Sequence, residues 1–131
     1  MRVYLDSSAI VKLVQREVHS DALAGALRAH GNDERVTSML ARVEVVRAVL
    51  PAGDAAVSHA RRQLARIHQI AVDLEILDRA ATMTPLVLRS LDAVHLASAQ
   101  LLGGDLRSLV TYDHRMAEAA ASSGLPVLTP V

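Results

Sequence analysis

An α/β sandwich around a parallel sheet is the fold this sequence predicts, and three observations carry the prediction. Short runs of Val, Leu and Ile alternate with helical patterns along the chain. Ala and Leu, both strong helix formers, weigh a 51% hydrophobic composition toward helix. At 131 residues the chain has the size of one ordinary domain. No linker or internal repeat breaks it, so a single domain over residues 1–131 is expected.

The elements follow in order. Arg2 to Leu5 reads as a first strand that turns at Asp6-Ser7-Ser8 into a helix through Ala9 to Val14. Glu17 to His30 has helical spacing, with Val18, Ala22, Leu23, Ala26 and Leu27 on one face and Gly31-Asn32 as its stop. Arg35 to Thr37 is a short strand. Ser38 is the expected cap of a third helix, in which Met39, Val43, Val46 and Leu50 keep a 3.6-residue spacing until Pro51-Ala52-Gly53. Asp54 should cap a fourth, with Val57, Ala60, Leu64 and Ile67 inward. Ile70 to Val72 suggests a strand, Leu74 to Met83 a helix, and Ser90 to Leu102 a long apolar helix stopped by Gly103-Gly104. Leu109 to Thr111 is a strand, His114 to Ser123 an Ala-rich helix, and Pro126 to Thr129 a last edge strand. In parallel sheets ligands bind at the carboxyl ends of the strands, where this scheme puts Asp6 and Asp113.

Composition excludes several chemistries. With no cysteine there is no disulfide, thiolate zinc site or cysteine nucleophile. No run of about 18 uncharged apolar residues exists to span a membrane, and nothing resembles a signal peptide, so a soluble cytoplasmic protein is expected. The core must form without Phe or Trp, and Met39 and Met83 look like filler for it. Net charge is zero, which counts mildly against nucleic-acid binding. Were four acids to hold metal, fourteen bases would face ten remaining acids. The chain has no phosphate loop, dinucleotide fingerprint, nucleophile elbow or His-Glu-x-x-His motif.

Four acids stand out, namely Asp6, Glu44, Asp92 and Asp113. Asp6 and Asp113 each follow a strand and could simply cap the next helix. Asp92 lies in a first helical turn, where the dipole favours negative charge. Glu44, between Val43 and Val45 in mid-helix, could pair with Arg47. Together they make another reading available. Mg²⁺ and Mn²⁺ take hard oxygen ligands, and two-metal phosphoryl transfer uses clustered carboxylates without a catalytic His or Cys. Ser7, Ser8 and Thr111 could support such a site, although local capping explains Ser7 and Ser8 as well. His95 shares a helix face with Asp92 and is either a partner of the acids or a satisfied core histidine. Arg61, Arg62 and Arg66 on the fourth helix, with His114 and Arg115 after Asp113, could contact phosphate or simply be solvated.

Three segments give a more specific signal. They are Tyr4-Leu5-Asp6-Ser7-Ser8-Ala9-Ile10-Val11-Lys12-Leu13, Leu88-Arg89-Ser90-Leu91-Asp92-Ala93-Val94-His95-Leu96-Ala97 and Leu109-Val110-Thr111-Tyr112-Asp113-His114-Arg115-Met116. In this order and spacing the chain resembles the PIN-domain ribonucleases, and within them the VapC toxins of bacterial toxin–antitoxin pairs. The resemblance implies a three-layer α/β/α PIN sandwich with a central parallel sheet. It maps the family's acidic quartet onto Asp6, Glu44, Asp92 and Asp113, its small hydroxyl residue onto Ser7 and its threonine onto Thr111. It also implies Mg²⁺- or Mn²⁺-dependent cleavage of structured RNA, such as tRNA or rRNA, by a metal-activated water. The partners it implies are a cognate VapB-type antitoxin and a second copy in a homodimer.

Rival readings are weaker. A haloacid-dehalogenase phosphatase would want an aspartate where Ser8 stands. A receiver domain would want a late lysine, and the chain's one lysine is Lys12. A PIN-like module that binds RNA or an antitoxin without cutting is the remaining alternative.

Overall fold

A computed structural model describes Met1–Val131 throughout. Its sheet has five strands, β1 (Arg2–Leu5), β2 (Glu34–Ser38), β3 (His68–Ile70), β4 (Leu106–Val110) and β5 (Val127–Leu128). Every pairing is parallel and the order is β3-β2-β1-β4-β5. Around it lie α1 (Ser7–Val14), α2 (Ser20–Ala29), α3 (Ala41–Val49), α4 (Asp54–Leu64), α5 (Leu74–Ala81), α6 (Ser90–Gln100) and α7 (His114–Ser122). No helix is long and apolar enough to cross a membrane.

Two cores flank the sheet because strand side chains alternate. Val3 and Leu5 of β1 point into a core with α1 to α4, where they meet Ile10, Leu23, Val45, Val49 and Leu64. Tyr4 points the other way, to Leu96 of α6, Leu109 of β4 and Met116 of α7. Ile76 of α5 closes a smaller cluster on Val94 and Ala97. Residues Ala93 to Ala99 of α6 are all buried, as expected of a helix wedged between α5 and the sheet.

Several expectations shift. The second helix starts at Ser20 rather than Glu17, because the Ser20 hydroxyl accepts from the Glu17 amide and His19 sits at φ 71°. Val18 is therefore left in the preceding turn, 71% exposed rather than inward. Ser38 is the last residue of β2, not a helix cap; its hydroxyl accepts from the Leu40 amide, and α3 begins at Ala41. The buried face of α3 is then Ala41, Val45 and Val49, packed on α1 and α4. Met39, Val43 and Leu50 lie on the exposed side, so Met39 is not core filler. Gly53, at φ 98°, takes the cap position before α4, and Asp54 is the first helical residue without a capping bond. β3 comes two residues earlier than expected because His68 to Ile70 pair with Val36 to Ser38.

Candidate active site

The sheet order reverses direction at β1, since β1 lies between β2 and β4. A crevice opens there beyond the strand ends, the usual ligand site of open parallel sheets. Asp6 follows β1 directly, and its amide donates to the carbonyl of Val110 at the end of β4. Asp113 stands three residues past β4. The topology alone thus brings together two acids 107 residues apart in the chain.

Asp6 is 4% exposed and anchored on every side. Its Oδ1 accepts from the Ala9 amide at 3.0 Å, which caps α1, and from Ser8 Oγ at 2.6 Å. Its Oδ2 accepts from Thr111 Oγ1. That threonine hydroxyl also accepts from the Asp113 amide at 3.0 Å, so one side chain links both acids. Asp113 in turn caps α7, its Oδ1 taking the amides of Arg115 at 2.8 Å and Met116 at 3.1 Å. Such caps are worth about 1 kcal/mol each. Capping and clustering are therefore not alternatives here, because both hold for both residues. Burial pushes the Asp6 carboxyl up, against the hydrogen bonds of Ser8 and Thr111.

Glu44 has a different partner from the expected Arg47. Its Oε1 accepts from His95 Nε2 at 2.6 Å and from Ser7 Oγ at 2.8 Å. It also lies in the first turn of α3 rather than mid-helix, where the dipole favours a carboxylate. Burial pushes its carboxyl upward, but His95 and Ser7 outweigh this and hold it below the usual range. Ser7 does not cap its own helix; it reaches across 37 residues to Glu44. His95, 2% exposed, passes its other nitrogen, Nδ1, to the Tyr4 hydroxyl at 2.8 Å. The Tyr4 ring meets the imidazole edge-on, and burial followed by the charge of Asp6 pushes the phenol well up. Tyr4 was legible only as a strand residue. The available signal was its hydroxyl, since a tyrosine in a buried strand must find a partner.

Asp92 differs from the other three. It makes no hydrogen bond in the structure, and α6 presents it half-buried from its first turn. Its carboxyl is raised by burial and then by Asp113, with smaller contributions from Asp6 and Glu44. Asp92 is thus within electrostatic reach of the other three acids. None of the eight ion pairs gives Asp6, Asp92 or Asp113 a cationic partner.

The donor set fits a hard divalent cation. Asp92 has both oxygens free, while Glu44 Oε2 and Asp113 Oδ2 accept no hydrogen bond. Glu44 and Asp113 are each held by one oxygen and offer the other, the arrangement that oxygen-seeking ions use, whereas Asp6 is held through both. The side chains are not drawn into a closed ligand set, since no three His, Asp or Glu groups stand close enough to grip an ion.

The arginines fall elsewhere. Arg61 and Arg62 are exposed on α4, Arg66 lies past its end in the turn to β3, and none forms an ion pair. Being consecutive, Arg61 and Arg62 do not share a face with one another. Arg61 lines an open groove with Arg42, Val43, Val46 and Leu64, apart from the carboxylates. Arg115 and His114 are exposed beside Asp113, and Arg115 borders a groove with Pro85, Leu88 and Glu118.

Comparison with known proteins agrees with this geometry. Residues 3–122 match the PIN domain. Ribonuclease VapC46 of Mycobacterium tuberculosis is 52% identical over 128 residues, covering 98% of this chain and 97% of that protein. Ribonuclease VapC35 of the same species is 44% identical over 98% of this chain and 96% of its own length. Among solved structures, a toxin–antitoxin complex from Klebsiella pneumoniae superposes with a TM-score of 0.73 at 24% identity, covering 98% of both chains. The M. tuberculosis toxin VapC20, which cleaves the sarcin-ricin loop, gives 0.74 at 16% identity over 98% of this chain and 99% of its own. With its sheet order, its acids at the β1/β4 crevice and these full-length relatives, the chain belongs to the PIN-domain family, among the VapC ribonucleases.

Proposed function

We propose that this protein is a metal-dependent endoribonuclease and the toxin of a VapBC-type pair, with Asp6, Glu44, Asp92 and Asp113 as its catalytic acids. The observation that carries the reading is Asp92, a side-chain carboxylate free of hydrogen bonds whose pKa is raised by burial and then by Asp113, with smaller contributions from Asp6 and Glu44. Asp6, Asp92, Asp113 through Oδ2 and Glu44 through Oε2 would hold Mg²⁺ or Mn²⁺. When bound, the ion supplies an activated water and neutralises charge at the scissile phosphate. The protein's own part is to hold the acids. Thr111 ties Asp6 to Asp113, Ser8 fixes Asp6, and Ser7 with His95 fixes Glu44. Arg115 and His114, both exposed next to Asp113 in the chain, would meet the RNA backbone.

A VapB-type antitoxin as partner, a homodimer and action in the cytoplasm belong to the same reading. Large exposed apolar residues such as Leu74, Leu86 and Val87 support an assembly that covers them. The test is cleavage of total bacterial RNA by purified protein with Mg²⁺ or Mn²⁺, beside EDTA and Asp6→Asn controls. Discrete fragments absent from both controls are expected. Intact RNA with both metals and a folded protein would shift the reading to a module that binds without cutting.

A further inference from the structure

Behind the acids runs a buried chain of hydrogen bonds that ends on Glu44. For a neutral imidazole its polarity follows from the partners. The Glu44 carboxylate only accepts, so His95 Nε2, at 2.6 Å from Oε1, must carry a proton. In a neutral imidazole Nδ1 is then an acceptor. The Tyr4 hydroxyl, at 2.8 Å from Nδ1 and fully buried, must be its donor. The chain therefore runs from Tyr4 O–H to His95 Nδ1, and from His95 Nε2–H to Glu44 Oε1. Ser7 Oγ donates to the same oxygen at 2.8 Å. Every member is satisfied; the one buried side-chain polar atom without a partner is Thr37 Oγ1, outside the chain.

We propose that Tyr4 and His95 are positioning residues for the reaction. The Tyr4 hydroxyl selects the His95 tautomer, and that tautomer holds Glu44 with one oxygen saturated and Oε2 free. The inference rests on Glu44 belonging to the active site. Tyr4 projects from the middle of the sheet and His95 from the fully buried face of α6. Both ring positions are fixed by packing, so the chain transmits the rigidity of the core to a half-exposed carboxylate. Groups that orient a ligand residue in this way typically change metal affinity or activity about 10–100-fold when removed.

The test combines Tyr4→Phe with His95→Gln and His95→Ala. Imidazole nitrogen NMR, at a pH where His95 is neutral, reads the tautomer directly. Calorimetry with Mn²⁺ reads affinity, and RNA cleavage reads the rate. The wild type should show only the Nε2–H form. Tyr4→Phe should remain folded, mix the two tautomers, and weaken Mn²⁺ binding and cleavage by about tenfold. His95→Gln, whose amide can still donate toward Glu44, should recover much of what His95→Ala loses. An Nδ1–H tautomer in the wild type would overturn the proposal. So would a Tyr4→Phe protein with unchanged tautomer, affinity and rate, or equal losses in the two His95 variants that simply follow their melting temperatures. A wild type that holds the Nε2–H form and binds Mn²⁺ but cuts no RNA would support the chain and refute the nuclease reading instead.

Discussion

The two ends of the sheet treat their acids in opposite ways. At the amino end, Asp33 accepts two hydrogen bonds from Arg107 of β4 and lies 3.3 Å from the amino group of Met1. The Arg107 guanidinium holds its carboxyl below the usual range. At the carboxyl end, Asp6 and Asp92 have no cationic partner and their carboxyls are raised. The same strands, β1 and β4, border both places. One acid is matched within the chain and stabilises it. The others are gathered without a match in the chain, as the proposed cation site requires.

Removing charge at the unmatched end should have the largest effect. Asp6→Asn and Asp92→Asn are each expected to lower RNA cleavage by about 10³-fold, the upper end of what losing one charge-handling group at a reacting centre costs. Asparagine keeps the cap of α1, so far-UV circular dichroism should stay unchanged in Asp6→Asn. Full cleavage by either folded variant would refute the assignment.

Stability should then respond to cations at one end only. Mg²⁺ or Mn²⁺ at roughly 100 times its Kd should add about 2.7 kcal/mol, read as a rise in Tm. Asp92→Asn should remove most of that gain while raising the Tm of the cation-free protein by roughly 3 °C. The pH dependence has a definite sign. Asp6 and Asp92 have raised folded pKa values, so above the ordinary carboxylate range the folded state keeps protons that the unfolded chain has lost. In EDTA their contribution to stability therefore falls as pH rises through that window, and the metal should flatten the decline. A cation-free stability that instead climbs through the same window in the wild type but not in Asp92→Asn would contradict the raised value.

Asp33 should behave in the reverse manner. Its folded pKa is lowered, so its contribution is present above the ordinary carboxylate range and disappears as pH falls through the lowered value. Asp33→Asn should lower Tm at neutral pH and leave the cleavage rate per folded molecule within about twofold of wild type, as additivity of distant sites requires. A large loss of kcat would mean that the two ends are coupled through β1.

How much of this was legible in the sequence depends on whether local chemistry was decisive. Asp6 and Asp113 were placed correctly because a strand followed by a capping acid is a local signal, and both do cap. α3 was misread because Met39, Val43, Val46 and Leu50 and the buried set Ala41, Val45 and Val49 both keep helical spacing. Only the packing on α1 and α4 selects between them. His95 reads as a possible partner of the acids, but its pairing with Glu44 was hidden for a similar reason. Arg47 lies three residues away in sequence, whereas His95 lies 51 away and arrives on another helix. Tyr4 and His95 each needed a hydrogen-bond partner, but that need does not name the partner until the topology is known.

The smallest expected effect concerns the arginines, and it sharpens the contrast between the crevice and its surroundings. Arg115 stands in the first turn of α7, two residues from Asp113, and its amide is bonded to that carboxylate. On the proposed reading, a side chain rooted there would contact a phosphate neighbouring the one being cut. Arg61 lies on the α3–α4 groove instead. A single phosphate contact on single-stranded nucleic acid contributes about 0.7 to the slope of log affinity against log salt. Arg115→Ala should therefore flatten the salt dependence of kcat/KM by about that amount and lower it a few-fold at moderate salt. Arg61→Ala should leave the slope within error. If instead Arg61→Ala gives the larger change, the RNA runs along α3 and α4, and the basic rim is set by that groove rather than by the loop that carries Asp113.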